Sequence, residues 1–87
     1  MTVPPEAVNR FLPSLDRLEN AMRASRRAFD QGDFEGALRE VDLAIELKPE
    51  YDAAWLLRGQ IFRKDGNIPG AIEAFAQALK MNGESEE

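Results

Sequence analysis

Shifting the chain along itself by 34 residues lays Gly32 on Gly66, Gly36 on Gly70, Ala37 on Ala71 and Ala44 on Ala78. Residues of like class fill the intervals: Asp33 with Asn67, Phe34 with Ile68, Leu38 with Ile72, Val41 with Phe75, Ile45 with Leu79 and Leu47 with Met81. A chance overlap would not keep small and large apolar residues in step. A repeat of this period constrains the fold more than composition does, because each unit must bury a face against its neighbour.

Each unit reads as two helices. Ala54, Trp55, Leu57, Ile61 and Phe62 recur at helical spacing, and Gly66 stops the run. Glycine suits the left-handed residue just past a helix end. Asn67 follows as an N-cap, with Pro69 in the first turn, where its missing N–H does little harm. Ala71, Ile72, Phe75, Ala78 and Leu79 trace the next apolar stripe. The first unit repeats the scheme with Gly32 as stop, Asp33 as cap, and Ala37, Leu38, Val41, Ala44 and Ile45 as stripe. Pro49 closes that helix, because the residue before a proline is pushed out of the α region. Its first helix is expected over Leu15–Asp30, with Pro13-Ser14 as a break or kink before it. The expected fold class is all-α: an N-terminal extension over 1–17, repeats over 18–51 and 52–83, and an acidic tail over 84–87.

The small residues have a mechanical role. Ala37, Ala44, Ala71 and Ala78 let paired helices approach, Ser25 and Gly59 do the same on the preceding helices, and Trp55, Phe62 and Phe75 fill the space beside them. The order Trp55, Gly59, Phe62, Gly66, Ala71, Phe75, Ala78 resembles the tetratricopeptide repeat, with its aromatic, small, aromatic, then Ala, aromatic, Ala. The first unit matches more loosely. Ala21, Ser25, Ala28 and Val41 stand at the aromatic and glycine positions, and Arg27 falls where the family usually buries an apolar residue, but Ala37, Ala44 and Pro49 are kept. The resemblance covers roughly residues 18–84. It implies a short right-handed α-solenoid that binds other proteins, its first helices lining a concave surface and its second helices facing outward.

On that pattern the concave, peptide-binding positions are Met22, Arg23 and Arg26 in the first unit and Leu56, Leu57, Gln60, Arg63 and Lys64 in the second. The first helices carry Arg17, Arg23, Arg26, Arg27, Arg58, Arg63 and Lys64 against Asp16, Glu19, Asp30, Asp52 and Asp65, whereas the second helix of unit one carries Asp33, Glu35, Glu40, Asp42 and Glu46 against Arg39 and Lys48. An acidic chain (net charge −5) thus presents a basic concave face, suited to an acidic peptide or a free carboxylate; ordinary solvated surface is the competing account. Members of the family that clamp the carboxylate ends of chaperone tails use Lys and Asn where Met22, Arg26 and Leu57 stand here. That clamp is not expected.

Repeat arrays need covered ends. The outer face of the last helix carries Ile72, Phe75, Ala76 and Leu79, and contiguous apolar patches mark contact sites. Val8, Phe11, Leu12 and Leu15 share one helical face in the N-terminal extension. That segment could cap its own first repeat, or it could pack on a neighbouring chain in a homodimer, for which Val8, Phe11, Leu12, Ile72, Phe75 and Leu79 are the self-association candidates. Met1 and the acidic terminus argue against a fragment of a longer array.

Other function classes are disfavoured. With no cysteine or histidine, thiolate and imidazole chemistry is absent, and neither a metal site nor a cofactor is expected. Glu40, Glu46, Glu50 and Asp52 lie on a solvated face or turn with no pocket to shift their pKa values, so an enzyme is not expected. The acidic balance disfavours nucleic acid, and no apolar run approaches the ~20 residues of a membrane span. The start of the chain lacks the basic and apolar regions of a leader, which makes the cytoplasm the default location. The leading expectation is an adaptor that holds a peptide in its concave face; the alternatives are a self-assembling scaffold and, through the family resemblance, a secretion-type chaperone.

Overall fold

The computed structural model describes residues 13–85, with side chains over 16–81. Four helices follow one another: α1 (Pro13–Asp30), α2 (Phe34–Leu47), α3 (Asp52–Lys64) and α4 (Ile68–Ser85). α1 packs on α2 and α3 on α4, while α2 joins the two pairs through α3. Val8, Phe11 and Leu12 lie outside the described residues.

The turns within the two pairs are built alike. Gly32 (φ 79°) and Gly66 (φ 90°) are the left-handed residues just past α1 and α3. Gly66 N–H donates to Arg63 O at 3.1 Å and Asn67 N–H reaches back to Phe62 O at 2.8 Å; Gly32 N–H to Phe29 O (3.0 Å) and Asp33 N–H to Ala28 O (2.9 Å) repeat the pattern. These crossed bonds satisfy carbonyls that a helix end would otherwise strand. The residue after each glycine then starts the next helix: the Oδ1 atoms of Asp33 and Asn67 accept from Gly36 N–H at 3.0 Å and Gly70 N–H at 3.1 Å. One Gly-Asp or Gly-Asn dipeptide thus ends one helix and begins another, reversing the chain within three residues.

Close approach within each pair rests on one small residue. A Cβ on Gly59 would come within 2.6 Å of the Phe75 ring, so that ring lies directly on the α3 backbone. Ser25 holds the equivalent place in the first pair: fully buried, its hydroxyl donates to Ala37 O at 2.7 Å. Ala37, Val41 and Ala44 of α2, Ala21 and Met22 of α1, and Ala54, Leu57 and Ile61 of α3 form one core, edged by Phe34, Leu38, Ile45 and Tyr51. The single core explains why the pairs stack: α3 completes what α1 and α2 leave open.

The two outer helices run slightly past the ranges expected for them. Pro13-Ser14 form the start of α1, and the segment before them lies outside the described residues. Proline is tolerated in the first turn, where no intrahelical partner awaits its N–H. At the other end α4 runs through Asn82, Gly83 and Glu84 to Ser85, into the stretch expected to be tail. Gly83 stands 34 residues after the helix-closing Pro49, and glycine inside a helix costs about 1 kcal/mol where proline costs about 3. The stop signal is missing, so the helix continues.

The turn chemistry carries a prediction. No atom lies within 4 Å of a Cβ built on Gly66, so Gly66→Ala meets no clash and pays only for the left-handed backbone. Urea unfolding is expected to show a loss of about 1–2 kcal/mol, with Gly66→Asn costing clearly less.

Candidate functional site

One face of α1 carries Leu18, Glu19, Met22 and Arg26, spaced three and four residues apart and therefore in line along the helix. Tyr51, at the entrance to α3, closes the other side. Together with Arg23 these side chains line a cavity of about 330 Å³. Met22, only 4% exposed, forms its floor; Arg23 and Arg26 stand exposed on its wall. Tyr51 caps α3 without a side-chain hydrogen bond, and the Lys48 ammonium sits 5.5 Å from its ring centre. An apolar floor, an aromatic wall and two guanidinium groups suit a carboxylate flanked by an apolar side chain.

The structure divides the residues expected from the sequence. Met22, Arg23 and Arg26 come together in this cavity. Leu57 does not join them; at 6% exposed it is part of the stacking core. It occupies the side of α3 that meets the first pair, so it is a packing residue rather than a presented one. Leu56 is 43% exposed, and Gln60, Arg63 and Lys64 are exposed further along α3, away from the cavity lining. Phe75 is half-buried against Gly59 and belongs to the packing within the second pair, whereas Ile72 and Leu79 are open to solvent. Leu18, Glu19 and Tyr51 were not anticipated as lining. The signal for the first two was present, since they precede Met22 by four and three residues on the same helical face.

Arg58 also leaves the expected basic surface. Its Nε donates to Asp42 Oδ1 of α2 at 2.8 Å. The guanidinium lies 4.8 Å from the Phe62 ring centre and 5.9 Å from that of Trp55, whose Nε1–H donates to Pro49 O at 2.9 Å. This cluster ties α3 to α2 across the junction of the two pairs. Among the described residues no three acidic groups gather to hold a metal ion, and no helix is long and apolar enough to cross a membrane.

A stack of helix pairs with this turn and small-residue chemistry defines a class, the helical-repeat proteins. The tetratricopeptide repeat profile matches residues 22–86, and the chain belongs to the tetratricopeptide repeat family. It is similar to a TPR repeat-containing protein of Methanocaldococcus jannaschii, with 36% identity over 76 residues that cover 84% of this chain and 22% of the relative. It is likewise 36% identical over 50 residues to a TPR repeat-containing protein of Pseudomonas aeruginosa, covering 58% of this chain and 48% of that relative. The chain thus spans between about a fifth and a half of the length of these relatives. No solved structure matches it.

The junction cluster is directly testable by unfolding. Asp42 is half exposed, so Asp42→Ala is expected to cost no more than about 0.5 kcal/mol. Arg58→Ala also removes the contact with two rings and is expected to cost about 1–2 kcal/mol. Equal losses would mean that the ion pair, and not the stacking, carries the cluster.

Proposed function

We propose that the chain is a non-catalytic interaction module whose α1–α3 groove takes a peptide segment bearing a carboxylate beside an apolar side chain. Repeats of this family generally mediate protein–protein interaction. The observation that carries the finer reading is the lining itself: Arg23 and Arg26 have no ion-pair partner among the described residues, although Glu19 shares their groove. Each guanidinium keeps its donors for a ligand, and partly exposed Leu18 offers apolar area beside them, over the buried Met22. The non-catalytic part follows the typical behaviour of the family.

The test is an array of short peptides that vary acidic and apolar positions independently, probed with the whole chain. Binding is expected to require both features, to weaken with salt, and to fall at least ~10-fold in Arg23→Glu with Arg26→Glu while helicity stays unchanged. Equal capture by the double variant would remove this groove as the binding site.

A further inference from the structure

The two pairs are related by the 34-residue shift, so each side chain on α4 has a counterpart on α2 that shows how the same position is normally covered. Leu38 and Ile45 are partly buried against the core on the helix that α3 packs against, and Phe34, also partly buried, lies 6.2 Å from the Phe29 ring of α1. Their counterparts Ile68, Ile72 and Leu79 are 50%, 64% and 70% exposed. Exposed Ala76 falls between them, and at ~100° per residue all four lie along one stripe of α4. On α3, Leu56 is 43% exposed, while its counterpart Met22 is buried. The molecule therefore presents a continuous apolar face in the place where it elsewhere seats a helix.

The opposite end is finished differently. Ala54, Leu57 and Ile61, which let α3 stack on the first pair, are 0%, 6% and 0% exposed. The same positions on α1 are Asn20, Arg23 and Arg27, all exposed. Arg27, the misfit in the repeat pattern, is thus part of a polar end. Head-to-tail stacking of two copies would set Asn20 and Arg27 against Ile72 and Leu79, leaving a guanidinium in an apolar contact.

We propose that the α4 stripe is covered by the α4 stripe of a second copy, the two helices running antiparallel about a two-fold axis. An isologous contact sets the apolar stripe against itself. Glu73 and Lys80, both exposed, stand two turns apart on one edge of that stripe. An antiparallel two-fold keeps this edge on the same side in both copies and reverses its direction, which brings Glu73 of each copy beside Lys80 of the other. The charges at the rim then match in both halves of the contact, and register is specified by them rather than by the apolar residues.

Sedimentation equilibrium of the full chain up to roughly 100 µM, a range suited to a small interface, tests this. A dimer is expected. Ile72→Glu with Leu79→Glu should give a monomer of unchanged helicity, because both side chains are largely exposed within the chain. Glu73→Lys should weaken the dimer about 5-fold, and adding Lys80→Glu should restore it. A monomer throughout, or a dimer indifferent to the two glutamates, would overturn the proposal. Failure of the charge reversal to restore the dimer would overturn the antiparallel pairing.

Discussion

A pair of antiparallel helices cannot bury both of its faces, and the rest of this structure follows from that constraint. The α1–α2 pair closes one face internally and hands the other to α3, so Ala54, Leu57 and Ile61 belong to the same core as Ala37, Val41 and Ala44. The burial of each unit is therefore partly a property of its neighbour, as expected for a quasi-one-dimensional array. Among the described residues there is one internal junction between the pairs and an outer helix on either side of it. The junction carries the buried aliphatic residues together with the Arg58 cluster; the ends carry the information about what the module does next.

The two ends are chemically unlike. At the α1 end, polar Asn20, Arg23 and Arg27 occupy the positions by which a first helix stacks on a preceding pair. At the α4 end, Ile68, Ile72 and Leu79 keep the apolar character of their α2 counterparts without the cover. The groove lies between these regimes. It exists because Tyr51 stands opposite Met22 at the junction, so the proposed peptide site depends on the stacking that buries the core beneath it.

Much of this was legible in the sequence, and the reasons are local. Gly32 and Gly66, with Asp33 and Asn67 after them, announce helix ends and starts through backbone conformation and capping, which depend on a few neighbouring residues. Ser25 and Gly59 read as close-approach positions because both are small and stand 34 residues apart; Gly59 meets the Phe75 ring and Ser25 the backbone of Ala37. What the sequence withheld depends on a third helix. Leu56 and Leu57 are adjacent and equally apolar, yet one is 43% exposed and the other 6%, according to which side of α3 meets the first pair. Arg58 looked like one more groove cation until Asp42, Trp55 and Phe62 were seen around it. The reach of α4 into the polar run after Met81 has a local cause too: that run holds neither a proline nor a left-handed glycine of the kind that ends α1 and α3.

One position of the repeat is packed against the core in the first unit and open in the second. Urea unfolding of Leu38→Ser and Ile72→Ser, the same position 34 residues apart, compares the two at concentrations where the chain is monomeric. Leu38→Ser is expected to lose about 2–3 kcal/mol, because it removes an apolar side chain packed against the core. Ile72→Ser, at a position already 64% exposed, is expected to change stability by no more than about 0.5 kcal/mol. Equal losses at the two positions would contradict this difference in cover.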